Sequence, residues 1–229
     1  IVGIGTNNTK STLENAFIFR EYCHAFMVTV PYYNKPSQEG IYQHFATIAQ
    51  LIADKSIMIY NIPSRCGVSI EPITVANLYN NFDNIKAIKE ASGSIQQTME
   101  IIQLCQINIF SGDDALLLPL MSVGAKGVVS VASNIIPNEI NNIINLFNNG
   151  NIKEAIDINN KLFPFLKSLF VDTNPIPIKY YANKLGMVTE NTVRLPLVVT
   201  TNKNILDEMD KIFDIYLCDS QANIKLIYS

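Results

Sequence analysis

Ser56-Ile57-Met58-Ile59-Tyr60-Asn61-Ile62-Pro63, a helix-like stretch over residues 72–79, and then Ile85-Lys86-Ala87-Ile88-Lys89-Glu90 form the passage on which the fold turns. Both outer runs are short, rich in β-branched residues and nearly continuously apolar. Such runs suit strands covered on both faces, as in a parallel sheet. The pattern repeats outward in both directions. Apolar runs at residues 1–5, 26–31, 107–112 and 127–133 recur at intervals of about 20 to 30 residues. Helical stretches at 37–51, 94–104 and 113–123 lie between them. Residues 37–51 open on Ser37 and carry Ile41, Phe45, Ile48 and Ala49 on one stripe, while Asp113 and Asp114 suit a helix N-terminus. Strand and helix alternating six times is the sequence form of βα units with right-handed crossovers.

Beyond residue 133 the period becomes helical. Ile140, Ile143, Ile144 and Phe147 share one face, and a second helix runs through Ile152, Ile156 and Phe163 after a stop at Gly150. Asn141, Asn142, Asn145, Asn148 and Asn149 fall on the polar side, which marks a solvated face and not a low-complexity segment. Asn174-Pro175-Ile176-Pro177 precedes a helix through Lys184, and a last helix is expected over 206–213. The expected division is therefore a partial β/α barrel at 1–137, a helical region at 138–213 and an atypical tail at 214–229. Gly3-Ile4-Gly5-Thr6-Asn7 half matches the phosphate loop of an open doubly wound sheet, but the third glycine and the later acid are missing. The expected fold class is α/β, of the eight-stranded barrel type, with six βα units at hand and helices after them; a closed barrel takes eight strands and typically about 250 residues.

Composition excludes several classes. Of 229 residues, 48% are apolar and 16% charged, and the formal net charge is −3. No three basic residues are adjacent, which argues against a nucleic-acid or anionic-membrane footprint. No apolar run approaches the ~18 residues of a spanning helix, and the first residues, Ile1-Val2-Gly3-Ile4-Gly5, show no signal-peptide pattern, so a cytoplasmic protein is expected. Cys23, Cys66, Cys105 and Cys218 lie far apart, and His24 and His44 lack ligand spacing. Neither a disulfide framework nor a metal site is expected, and no cofactor is implied.

The chemistry-bearing candidates gather at strand ends, where barrel enzymes place their catalytic groups. Period two puts Ile85, Ala87 and Lys89 on one face. A lysine partly buried there has a lowered pKa, and its neutral amine can attack a ketone to form a Schiff base; an exposed lysine paired with Glu90 is the alternative. Tyr60 ends its strand in the same way, either as a proton shuttle beside that lysine or as an aromatic cap on the core. Tyr32 and Tyr33 follow another strand end. Arg65 offers a fork for a substrate carboxylate, or a surface ion pair.

Five motifs follow in order: Pro31-Tyr32-Tyr33-Asn34-Lys35-Pro36-Ser37-Gln38-Glu39-Gly40, Tyr60-Asn61-Ile62-Pro63-Ser64-Arg65, Ile88-Lys89-Glu90-Ala91-Ser92-Gly93, Ser111-Gly112-Asp113-Asp114 and the segment from Gly127 to Asn134. Together they resemble the dihydrodipicolinate synthase family. The likeness extends to about Phe213 and includes Asn174-Pro175-Ile176-Pro177-Ile178-Lys179. It implies a class I aldolase-type lyase that condenses pyruvate with aspartate semialdehyde on the diaminopimelate route to lysine. By motif, Lys89 would hold pyruvate as a Schiff base, Tyr60 would exchange protons beside it, and Tyr33 would join the relay across a tight dimer contact. Arg65 would bind the aldehyde's carboxylate, Val129 would offer its carbonyl, and Gly112 would line the pocket. The likeness also implies a homo-oligomer, a tetramer built from tight dimers. It places Asn7 and Tyr32 near a lysine effector site, where Ser11 replaces the usual acid.

The chain departs from the family in lacking its Gly-Thr-Thr-Gly-Glu motif, whose threonines bind the pyruvate carboxylate and bridge the tyrosines; Cys66 replaces a threonine. A barrel without its first two units is therefore expected, with apolar edges at residues 1–5 and 127–133, marginal and inactive by itself. Two alternatives accompany the synthase reading: a sister pyruvate aldolase of the N-acetylneuraminate lyase type, and a non-catalytic remnant. Arg65 favours the synthase over the sugar-acid lyase.

Overall fold

The structure is a computed structural model that describes residues 1–216. Six strands form one sheet: β1 (Val2–Gly3), β2 (Ala25–Thr29), β3 (Ser56–Asn61), β4 (Ile85–Glu90), β5 (Asn108–Ser111) and β6 (Gly127–Val128). All pair in parallel and in strict chain order, β1-β2-β3-β4-β5-β6. A doubly wound sheet reverses its order at a switch point, whereas an order that never reverses is the winding of a barrel wall. The strands are apolar on both faces because both are covered. Ile57, Met58 and Ile59 of β3 are buried in succession, and Phe26, Val28, Ile85, Ile88 and Ile109 join the same core.

Helices fill the crossovers: α1 (Thr9–Phe19), α2 (Gln38–Leu51), α3 (Pro63–Cys66), α4 (Pro72–Asn81), α5 (Ile95–Leu104) and α6 (Leu117–Ser122). Their starts follow from short polar side chains. Asn8, Ser37 and Ser94 accept bonds from the backbone N–H of Ser11, Gly40 and Gln97, satisfying donors that the first turn leaves unpaired. Gly3-Ile4-Gly5 serves packing. A Cβ on Gly5 would lie 2.4 Å from the Thr29 backbone nitrogen, so glycine there permits the close approach of neighbouring strands.

The sixth strand is shorter than the apolar run suggests. It stops at Val128, and residues Ala132–Asn134 form a 3₁₀ turn in which the Ser133 N–H donates to Ser130 Oγ at 2.8 Å. A serine hydroxyl offers the backbone a local partner in place of a ladder. The chain divides into two compact units, Ile1–Val129 and the residues from Ser130 onward. The second unit is helical: α7 (Pro137–Asn148), α8 (Ile152–Ser168), α9 (Ile176–Lys184) and α10 (Lys203–Tyr216). All five asparagines noted above are exposed, and Gly150, at φ 82°, separates α7 from α8. Within this unit Tyr181 is buried against Phe165 and donates to Ser168 Oγ at 2.9 Å, while Lys184 Nζ lies 2.6 Å from Asp210 Oδ1. Residues 214–216 continue α10; the rest of the expected tail, with Cys218, lies outside the described residues. No helix among the described residues is long and apolar enough to cross a membrane.

The two histidines split. His24 is exposed, whereas His44 on α2 is 5% exposed, with Nδ1 2.9 Å from Thr9 Oγ1 on α1. His44 Nε2 has no hydrogen-bond partner among the described residues, and burial pushes the imidazole down to about 4. The unfolded chain therefore takes up a proton first as pH falls, and stability is lost between the unfolded value near 6.5 and the folded value. Urea titration should find the chain about 2 kcal/mol less stable at about pH 5 than at about pH 7.5 through this group. His44→Leu should flatten that slope; an unchanged slope would refute the assignment.

Candidate active site

The carboxyl rim of the sheet is built by backbone bonds that run one step beyond the strands. The N–H groups of Val30, Ala91, Gly112 and Val129 donate to the carbonyls of Tyr60, Asn61, Glu90 and Ser111 at 2.7–3.0 Å. Each motif that follows a strand is thus tied to the neighbouring strand before its loop departs. Side chains at the rim inherit the sheet's rigidity, and that is the precondition for fixed geometry between groups from different strands.

Tyr60 and Lys89 face each other across β3 and β4, paired in register. Both are half-buried, and Lys89 Nζ stands 4.1 Å from the centroid of the Tyr60 ring. Alternation places Ala87 and Ile85 beneath the lysine on the same face, both buried. Burial lowers the Lys89 amine from its ordinary value; the pull of Asp114 opposes this and the push of Arg65 adds to it. Burial raises the Tyr60 phenol, with Arg65 opposing. One environment therefore favours a neutral amine and a protonated phenol. The space beside the amine is kept by a glycine. A Cβ on Gly112 would come 2.5 Å from Ala91 Cβ and 3.1 Å from Lys89 Cε.

The other sequence candidates lie around this pair. Arg65, in the short helix α3, is exposed, and its electrostatic reach includes both Tyr60 and Lys89. Val129 is half-buried immediately after β6. Cys66, the family's threonine position, is buried and donates its thiol to the Val30 carbonyl at 3.1 Å. Tyr33 comes to the same rim, its N–H donating to the Cys66 carbonyl at 3.2 Å. The residue is 86% exposed and its backbone sits at φ 73°, so its phenol faces outward from the rim. Near the chain start, Asn34 Nδ2 donates to the Asn7 carbonyl at 3.0 Å, and Tyr32 is 40% exposed.

Glu90 is not the partner of Lys89. It points to the opposite face, is 2% exposed and accepts from Asn61, Ser92 and Gln97. Sequence reasoning offers Glu90 only as a pair for Lys89 and Asp114 only as a helix-start acid, and it gives Asn61 no role. The available signal was period two itself, which puts Asn61 and Glu90 on the same outward face.

Comparison with known proteins agrees with this geometry. The Dihydrodipicolinate synthetase family matches residues 1–215. The 4-hydroxy-tetrahydrodipicolinate synthase of Endomicrobium trichonymphae is 46% identical over 208 residues, covering 90% of this chain and 71% of that protein. The crystal structure of dihydrodipicolinate synthase from Aquifex aeolicus superposes with a TM-score of 0.90 at 38% identity, over 94% of this chain and 74% of that one. The chloride-inhibited dihydrodipicolinate synthase from Acinetobacter baumannii, complexed with pyruvate, superposes at 0.87 with 30% identity, over 93% and 74% of the two chains. With a barrel-type winding, a lysine and a tyrosine in register at the rim, and a match from end to end of the described sheet, the chain belongs to the dihydrodipicolinate synthetase family.

Proposed function

We propose that, with Lys89 and Tyr60 both in place and despite the missing Gly-Thr-Thr-Gly-Glu motif, the chain acts as a 4-hydroxy-tetrahydrodipicolinate synthase, in which Lys89 captures pyruvate as a Schiff base and the derived enamine attacks aspartate semialdehyde. The observation that carries this reading is the half-buried Lys89 amine 4.1 Å from the Tyr60 ring at the end of paired strands. A neutral amine adds to the keto carbon, giving a carbinolamine. A proton from the Tyr60 phenol lets its hydroxyl leave as water, and the imine forms. Loss of a methyl proton gives the enamine, whose carbon bonds to the aldehyde carbon. Transimination by the new amine then cyclises the product and frees Lys89.

Arg65, exposed beside the pair, suits the carboxylate of the semialdehyde and favours it over a sugar. Gly112 leaves room for the bound keto acid, and the Val129 carbonyl is assigned to the same pocket. Tyr33, held outward on a left-handed backbone, fits a role in a neighbouring subunit's relay, in keeping with a homo-oligomer. Free thiols at Cys23, Cys66 and Cys105 suit a reducing, cytoplasmic setting.

Borohydride reduction in the presence of pyruvate tests the reading. A single covalent adduct is expected, mapped by peptide mass spectrometry to Lys89. A folded chain with no adduct, or with the adduct on another lysine, would overturn it.

A further inference from the structure

The face of the sheet away from Lys89 carries a second polar assembly, built around two buried side chains. Asn61 and Glu90 are the residues immediately after Tyr60 and Lys89, and they too are paired in register. Alternation sends them to the helix side, where Asn61 is 0% and Glu90 2% exposed. Asn61 Nδ2 donates to both carboxylate oxygens, at 3.2 and 3.0 Å. The Ser92 N–H donates to Oε1 at 2.7 Å, and Gln97 Nε2 donates to Oε2 at 3.2 Å. Every partner is a donor, so the ionised carboxylate is the form that fits, although burial raises its pKa.

The donors cannot turn over. Asn61 Oδ1 accepts from the Ile70 N–H at 3.2 Å, and Gln97 Nε2 also donates to the Ile70 carbonyl at 3.1 Å. Reversing either amide would break one of these bonds. A carboxylate at position 90 is thus specified from three sides, and it joins β3, the turn after β4 and α5 at the level of the Tyr60–Lys89 pair.

We propose that Glu90 is a positioning residue, whose carboxylate clamps Asn61 to the turn after Lys89 and so sets the placement of the Lys89 amine against Tyr60. The inference rests on the Schiff-base reading of Lys89. It acts through geometry: alternation puts the Glu90 carboxylate on the face of the sheet opposite the Lys89 amine. Burial against neutral amides, with the charge facing away from the amine, gives Glu90 a mechanical part.

The test is the rate of pyruvate trapping on Lys89, per folded molecule, in three chains. Glu90→Gln keeps the shape but sets an NH2 group against the locked Asn61 amide. Its trapping rate should fall on the order of tenfold to a hundredfold, with an unshifted pH profile. In the double variant, Glu90→Gln combined with Asn61→Asp, the pair is exchanged. The carboxylate now at position 61 accepts from both the Ile70 N–H and the amide now at position 90, while Gln97 loses its bond to position 90 and keeps the one to the Ile70 carbonyl, so part of the rate should return. Equal rates in Glu90→Gln and the parent, or no recovery in a folded double variant, would overturn the proposal. If Glu90→Gln does not fold, Gln97→Met carries the test, since Gln97 is half-exposed; a parental rate there refutes the clamp. A parent that forms no adduct refutes the Schiff-base reading instead. The clamp then stands or falls on whether the Ala91 and Ser92 amides exchange faster in Glu90→Gln than in the parent.

Discussion

Lys89→Ala is expected to eliminate the pyruvate adduct and to lower condensation by at least about a thousandfold, because the covalent route disappears with the amine. The same change should leave the melting temperature unchanged or slightly higher. Burial lowers the Lys89 pKa, so below that ordinary value the folded state bears a cost for holding the charge that the unfolded chain does not. Removing the amine removes that cost, and loss of its contact with the Tyr60 ring partly offsets the gain. Lys89→Arg sharpens the point. A guanidinium keeps a cation in place but does not deprotonate near neutrality, so no imine forms. Trapping followed by mass spectrometry, with thermal melts on the same samples, reads both effects. A Lys89→Ala chain that still condenses, or one that unfolds, would remove the lysine from its assigned role.

How much of this was readable in the sequence depended on whether chemistry and periodicity coincided. β3 and β4 were legible because their largely apolar runs lead to Tyr60 and Lys89, each one residue short of its strand's end, so burial and function point to the same positions. α2 was legible through its stripe of Ile41, Phe45, Ile48 and Ala49, all buried. α1 was not. Its buried positions are Thr12 and Ala16, while Phe17, Ile18 and Phe19 are exposed, which leaves no apolar period to detect. The sixth strand misled for the opposite reason: its residues have strand propensity, but Ser130 and the turn at Ala132–Asn134 hold the backbone otherwise. Glu90 shows the deeper limit. Beside a lysine, an acid invites an ion pair, and only the strand's alternation and the donors of Asn61, Ser92 and Gln97 turn it to the far side.

Tyr60→Phe should slow imine formation by about a hundredfold or more while the fold keeps its stability. The ring remains in place against Lys89, and only the proton donor is lost. The pH profile separates this from a packing effect. Burial moves the two members of the pair in opposite directions, lowering the lysine from 10.5 and raising the tyrosine from 10.0. Each shift widens the pH range in which a neutral amine meets a protonated phenol, which is the combination imine formation requires. Trapping should therefore rise with pH as Lys89 deprotonates, hold a plateau, and fall only when the phenol ionises. These limbs belong to the coupled pair and not to either residue alone. In Tyr60→Phe the acid limb should remain and the alkaline limb should vanish, at a lower plateau throughout. A variant with the parental plateau, or one that keeps the alkaline limb, would show that the proton comes from elsewhere and would leave Tyr60 as a wall of the pocket.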